Sequence, residues 1–336
     1  MRSDSLSGYD LRYPALIISH TMLPGVSKVL YDIGCKEKQA IFGGIMQPDL
    51  TDQILELVRL TATDLPGDVE VKLRKSKDQE TEGSAAEGAL DTILKNVEMA
   101  RENSTPICQD TGTPIFYVSY PEGWSTRKLS AQIKDAVIQA TAKAYLRPNS
   151  VNSVTGKNTG DNSGDEYYPS LHLQEVGGDE LIIDLLLKGG GCENVSTQYK
   201  LPDVLLAAGR DLDGVRKTAL DAVMNAQGKG CAPGVLGIAI GGDRGSSYAA
   251  SKEALLRQLD DENPDPTLAE LEKKITQQAN QLDIGPMGFR GKTTVLGTKV
   301  KNLHRLPASY FVSISYMCWA FRRRRMIYKN GEAEYQ

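Results

Sequence analysis

The chain has 336 residues and a mass of 36.6 kDa, 40% of them apolar and 24% charged, which excludes wholesale disorder and leaves room for one large or two ordinary domains. A formal net charge of -4 and a pI near 5.6 exclude a generic nucleic-acid coating protein. The opening MRSDSLSGYDLRYPALIISH offers only Ala15 to Ile18 as an apolar run, too short for a secretory signal, and no window approaches the roughly 20 apolar residues of a bilayer span. The expectation is a cytoplasmic chain with neither nucleic acid nor membrane as partner.

In chain order, residues 84–103 read as a helix: Ser84 and Glu87 have capping-box spacing, and Leu90, Ile93, Leu94 and Val97 share one face. Pro106 stops that helix and Ile115 to Val118 reads as a short strand, so Cys108, Gln109, Asp110 and Thr111 fall in the turn between them. Residues 130–146 form a second amphipathic helix on Ile133, Val137, Ala140 and Ala144. The 19-residue stretch RPNSVNSVTGKNTGDNSGD follows, a loop long enough to be functional or mobile. Residues 181–187 suggest a buried strand leading into KGGGCEN, and residues 212–227 a helix. GKGCAPG then makes a tight turn into a second buried strand, 235–240, which ends on Gly241-Gly242. Two helices near 249–259 and 267–281 precede GFRGKTTVLGTKV, a strand-like YFVSISYMCWAF and the run Arg322 to Arg325. Helices and strands alternate without a βαβ period or a repeat, which predicts mixed α and β structure. Residues 291–336 carry nine Lys or Arg against two Glu. Such a run reads as a solvated helix end or tail, or as a basic surface for a partner domain or an anionic substrate.

Five cysteines at long spacings, with no CxxC, argue against a disulfide framework, a zinc ribbon and a ferredoxin-type cluster. His20, His172 and His304 are too far apart in sequence for an HExxH site. Gly291-Lys292-Thr293 resembles the end of a Walker A motif, but Pro286 occupies the first-glycine position and Gly285 stands one residue early. The glycines at 189–191 and GGDRGSS at 241–247 can cradle phosphates through backbone N–H groups, though no GxGxxG follows either strand. A nucleophilic cysteine needs a base, and only the fold can bring His304 to Cys318. Cys35 and Cys192 read as buried, inert thiols. Cys108, Cys231 and Cys318, separated by 123 and 87 residues, each follow a turn or end an apolar strand. Three thiolates from three loops can hold three irons of a cubane and leave the fourth open as a Lewis acid. Spacing alone leaves that reading beside one of three scattered structural thiols.

Taken together, CQDTGTP (108–114), KGGGCEN (188–194), GKGCAPG (228–234), GGD (241–243), GPMGFRGKTTVLG (285–297) and SYMCWAFRR (315–323) resemble the class I fumarate hydratase family. More narrowly they resemble its N-terminal, cluster-bearing portion, the alpha subunit of two-subunit members, over about residues 40 to 325. The resemblance implies an α+β fold of mixed sheets flanked by helices. It also implies an oxygen-sensitive [4Fe-4S] cluster, with Cys108, Cys231 and Cys318 as ligands and one iron open to substrate. Gln109 and Asp110 match the pair that hydrogen-bonds substrate, Asp110 being the candidate for proton transfer. Arg147 matches a substrate-binding arginine, and Gly189 and Gly190 the backbone that closes on substrate. Two positions depart from the family: Cys192 stands where serine is frequent, and Leu306 stands where a substrate-contacting histidine falls, with His304 two residues before it.

The resemblance therefore implies that residues 1–336 are an iron–sulfur hydro-lyase N-terminal (alpha) domain. Residues 315–336 would form a basic C-terminal end leading toward a second domain or subunit. The implied reaction is the reversible hydration of fumarate to (S)-malate, with L-tartrate or mesaconate as alternative dicarboxylates of the same family. Its partners would be a C-terminal domain or beta subunit, in a homodimer or an alpha2beta2 assembly. A non-catalytic iron–sulfur scaffold subunit is the alternative from another class.

Overall fold

The computed structural model describes residues 47–336, so Ala15–Ile18, His20 and Cys35 lie outside the described residues. Among the described residues, the leading elements are the helices α1 (Thr51–Thr63), α2 (Gly67–Gln79) and α3 (Ala85–Asn103). The first two have no counterpart in the sequence reading, although Ile54, Leu57, Val58 and Ala62 of α1 are buried at helical spacing. For α3 the reading matches: the Ser84 hydroxyl accepts from Glu87 N at 3.2 Å, while the Glu87 carboxylate accepts from Gly83 N at 2.7 Å rather than from Ser84.

Then come β1 (Thr113–Pro121), α4 (Thr126–Ala142), β2 (Ser170–Val176), β3 (Leu181–Lys188), the short α5 (Gly190–Val195), β4 (Thr197–Lys200) and α6 (Leu212–Ala226). The chain continues as β5 (Gly234–Ile240), α7 (Arg244–Ala254), α8 (Pro266–Asn280), β6 (Val295–Asn302), β7 (Phe311–Met317), β8 (Arg323–Lys329) and β9 (Glu332–Tyr335). Two helices start earlier than their apolar stripes suggest because polar caps set the first turn. Ser125 accepts from Lys128 N at 3.3 Å ahead of α4, and Asp243 accepts from Gly245 N at 2.8 Å ahead of α7.

The strands form two sheets, ordered β2-β1-β3-β8-β9 and β4-β7-β5-β6. Only β1–β2 and β5–β6 run parallel; the other pairs are antiparallel. One face of the first sheet, carrying Phe116, Val118, Ile183, Leu185 and Met326, packs on α1 and α4. Every residue of β5 is buried; Leu236 and Ile238 meet α6 and α8, while Gly237 lets α7 approach on the other face. A third apolar cluster joins the sheets: Ile115 and Leu186 from the first meet Val235, Leu296 and Met317 from the second, with Ile107, Cys192, Cys318 and Phe321 among them. The architecture is α+β, as expected.

The arginine run is not a solvated tail. It enters β8, inside the first sheet, where Arg323, Arg324 and Arg325 stand opposite Leu186, Leu185 and Asp184. Each finds an aspartate: Arg323–Asp68 at 2.5 Å, Arg324–Asp64 at 3.4 Å and Arg325–Asp184 at 2.7 Å. Burial alone would raise the Asp68 carboxyl, but the hydrogen bond and charge of Arg323 outweigh it and hold the group below the ordinary carboxylate range. A depressed carboxyl stabilises fully above about pH 4, and the contribution fades as pH falls through the lowered value. Asp68→Ala strands a buried guanidinium and is expected to lower the unfolding free energy by roughly 3–5 kcal/mol at neutral pH, read from urea denaturation. The gap between the two proteins should narrow below about pH 4, where wild type also loses the pair.

Candidate active site

The CQDTG turn is held from three sides. Ile107 N donates to Ala62 O at 3.0 Å and Asn96 Nδ2 donates to Ile107 O at 2.8 Å, pinning the residue before Cys108. Thr111, fully buried, accepts through its hydroxyl from Arg147 N and Asn149 Nδ2, both at 3.1 Å. Gly112 has φ +81°, and a Cβ there would lie 2.8 Å from the Lys188 carbonyl carbon, so only glycine lets the turn touch the end of β3. The Asp110 carboxylate accepts from Gly112 N at 3.1 Å and Gly191 N at 3.4 Å, and its backbone carbonyl accepts from Arg322 Nη2 at 2.8 Å. A Cβ on Gly189 would come within 2.8 Å of Asp110 Oδ2, which explains a glycine at that position.

A cleft of about 460 Å3 opens over this turn, lined by Gln109, Asp110, Arg147, Asn149, Tyr168 and Gly190, among others. It gathers four of the five residues predicted to bind substrate, and the fifth, Gly189, lies beneath Asp110. Arg147 Nη1 donates to Gln109 O at 3.4 Å, so the guanidinium stands beside the carboxylate turn. Thr111, Asn149 and Tyr168 had no role in the sequence reading. Asn149 and Tyr168 belong to or border the Asn/Gly loop, whose length was the only sign of them.

Cys231 and Cys318 lie side by side at one end of the second sheet, where its central strands β5 and β7 begin and end. Cys231 ends a 3-10 turn with φ 52° ahead of β5, and its carbonyl accepts from Trp319 N at 3.2 Å, which ties it to the residue after Cys318. Cβ atoms on Gly230 or Gly234 would enter the Tyr316 ring, accounting for the glycines of GKGCAPG. Burial pushes the Cys231 thiol up, and the nearby charges of Cys192, Cys108 and Asp110 add to this. Cys318 and Cys192 are buried in mutual side-chain contact. That contact draws the Cys192 thiol down, against its burial and with help from Lys188; the same contact, with burial, pushes Cys318 up. Cys192 is thus a buried thiol, as read, but it touches Cys318, which spacing did not reveal.

Two cations lie beneath these groups. Lys188, fully buried, donates through Nζ to Tyr316 O at 3.0 Å and Ser196 Oγ at 3.1 Å and pairs with Glu193 at 3.4 Å. Burial pushes its ammonium below the usual lysine range, with Glu193 opposing. Arg322, 1% exposed, keeps Nε and Nη1 without a partner among the described residues. Among the described residues no three His, Cys, Asp or Glu side chains are close enough to share a single metal ion. A multi-iron cluster spreads its ligands more widely than one ion does. Soft thiol donors, a neighbourhood shared by Cys108, Cys231, Cys192 and Cys318, and a buried cation with free N–H groups suit a thiolate-held anionic cluster.

Two of the phosphate readings, at GKT and at 241–247, meet occupied donors. Lys292 N and Thr293 N both donate to the Glu80 carboxylate, at 2.9 and 3.0 Å, and Lys292 Nζ donates to Gln79 O at 2.6 Å. A side-chain carboxylate thus fills the place a phosphate would need. Gly241 N and Gly242 N donate to Phe311 O and His304 O, and Asp243 caps α7. His304 is exposed after β6 and does not line the cleft; the polar neighbours of Cys318 are Cys192 and Arg322.

Fold and site together define an α+β domain in which a thiol neighbourhood adjoins a carboxylate- and arginine-lined cleft. The fumarate hydratase (Fumerase) family model matches residues 51–327. A Geobacillus stearothermophilus protein assigned to fumarate hydratase class I is 49% identical over 277 residues, 82% of this chain and 54% of that protein. A Methanocaldococcus jannaschii protein assigned as an L(+)-tartrate dehydratase alpha subunit is 33% identical over 82% of this chain and 95% of its own length. The Escherichia coli (strain UTI89 / UPEC) L(+)-tartrate dehydratase subunit alpha is 32% identical over 82% of this chain and 89% of its own length. The chain thus spans about half of the Geobacillus protein and most of each alpha subunit. It belongs to the fumarate hydratase (Fumerase) family. No helix among the described residues is long and apolar enough to cross a membrane.

Proposed function

We propose that the chain is the cluster-bearing component of a hydro-lyase that interconverts fumarate and (S)-malate. In this reading Cys108, Cys231 and Cys318 hold a [4Fe-4S] cluster, and a C-terminal domain or beta subunit completes the site. The observation that carries the proposal is the single cleft in which Gln109, Asp110, Arg147 and Gly190 meet, next to the turn that bears Cys108. When bound, the cluster supplies a Lewis acid for a substrate carboxylate and hydroxyl. The Arg147 guanidinium offers two parallel N–H donors to a carboxylate, which fixes the long axis of a small diacid. Gln109 donates to or accepts from a substrate oxygen at the same rim. In this reading Asp110, held by Gly112 N and Gly191 N, exchanges a proton with the oxygen that leaves or attacks. The buried floor of Gly189, Thr111 and Ile107 keeps that turn from shifting.

The test is anaerobic reconstitution with iron and sulfide, followed by mixing with a matching beta subunit and recording loss of fumarate absorbance. About four irons per chain and a hydration rate that needs both components are expected. Full iron loading without turnover on any dicarboxylate would leave the scaffold reading instead. A second reading, L-tartrate as substrate, is favoured by the near full-length match to alpha subunits of tartrate dehydratases. Assaying fumarate, L-tartrate and mesaconate side by side with the complete assembly separates the substrates.

A further inference from the structure

Arg322 is a buried cation that the fold alone leaves unbalanced. The three arginines after it each pair with an aspartate, but Arg322 pairs with no carboxylate among the described residues. Its side chain makes one hydrogen bond, from Nη2 to the Asp110 carbonyl at 2.8 Å, while Nε and Nη1 are enclosed without a partner. Burying a guanidinium costs much unless its donors are bonded and its charge is met, and groups left unmet in an interior call for an explanation. The residue stands four positions after Cys318, and its charge reaches both Cys318 and Cys192. A water molecule would satisfy the free donors but would leave the charge unbalanced.

We propose that Arg322 contacts the cluster, donating N–H from Nε or Nη1 to cluster sulfur and countering the net negative charge of a cubane held by thiolates. The inference rests on the function proposed above. Two consequences follow from the chemistry. Hydrogen bonds to sulfur and a nearby cation both favour the reduced, more negative cluster, so they raise its potential. Because the same guanidinium holds the Asp110 carbonyl, it also fixes the distance between cluster and proton-carrying carboxylate.

The experiment compares the full chain with R322Q and R322K, each reconstituted anaerobically. Iron release to a chelator and the midpoint potential, followed by electron paramagnetic resonance, are the readouts. R322Q should release iron roughly 10–100-fold faster than wild type and titrate at a more negative potential. R322K, which keeps the charge but not the planar fork, should fall between the two. A purely structural role would lower thermal stability and leave the potential of the loaded protein unmoved. Equal potentials and equal release rates in loaded wild type and R322Q would overturn the inference while leaving the proposed function standing. If R322Q does not fold, R322K decides by the same comparison. Failure of the wild-type chain to take up iron is visible before any variant is examined, and it would overturn the proposed function and this inference together.

Discussion

Cys231→Ala should yield a folded chain that no longer retains four irons and has lost essentially all hydro-lyase turnover. Cys231 is the most exposed of the three proposed ligands, so removing its sulfur leaves no large cavity. The turn that carries it is held by backbone bonds, Cys231 N to Gly228 O and Trp319 N to Cys231 O, which alanine keeps. Its φ of 52° costs an alanine no more than a cysteine. A stability loss below about 1 kcal/mol is therefore expected, alongside a drop in iron and sulfide content. Cys318→Ala should lose the cluster as well, but at a larger cost in stability because Cys318 lies in the apolar cluster joining the sheets. Unchanged iron content in Cys231→Ala would remove that residue from the ligand set.

Asp110→Asn should separate cluster binding from turnover. The amide matches the carboxylate in shape and can still accept from Gly112 N at 3.1 Å, while the weaker contact from Gly191 N at 3.4 Å is lost. The backbone carbonyl that receives Arg322 is untouched. Iron loading should stay at the wild-type level, and kcat should fall by roughly 10²–10⁴, the span associated with removing a positioned proton carrier. KM should move little if Arg147 supplies most of the diacid binding. Normal turnover with a full complement of iron would exclude Asp110 as that carrier.

What the sequence made legible was local. Ser84, Glu87 and Pro106 bracket α3 through rules acting within a few residues, so the Cys108–Thr111 turn was placed correctly. The buried strands at β3 and β5 stood out because both are nearly continuous apolar runs. The arginine run reads locally as a solvated tail because its partners, Asp64, Asp68 and Asp184, lie far away in the chain and no local rule names them. The same distance hid Glu80, which takes the GKT amides from more than 200 residues upstream. Helix α2 is hard to read for another reason: it is mostly charged, with only Val69, Leu73 and Ser76 buried, so its stripe is thin. At the site, motif matching named Gln109, Asp110, Arg147 and the glycines. The supporting residues Thr111, Asn149, Lys188 and Arg322 act through contacts that only the folded chain assembles.

Cys108 precedes the first strand of one sheet, whereas Cys231 and Cys318 bracket two neighbouring strands of the other. During synthesis the first thiol leaves the ribosome long before the third, and the pairing of β5 with β7 cannot form until Met317 has emerged. Contacts of such wide sequence separation are slow to form. On the proposed function, a nascent chain that has not yet extended past β7 would offer iron only isolated sulfurs, and the three thiols would meet only after β5 and β7 have paired. Once inserted, an inorganic clasp would bind early and late segments together, making metal loss and unfolding a single event for this part of the molecule.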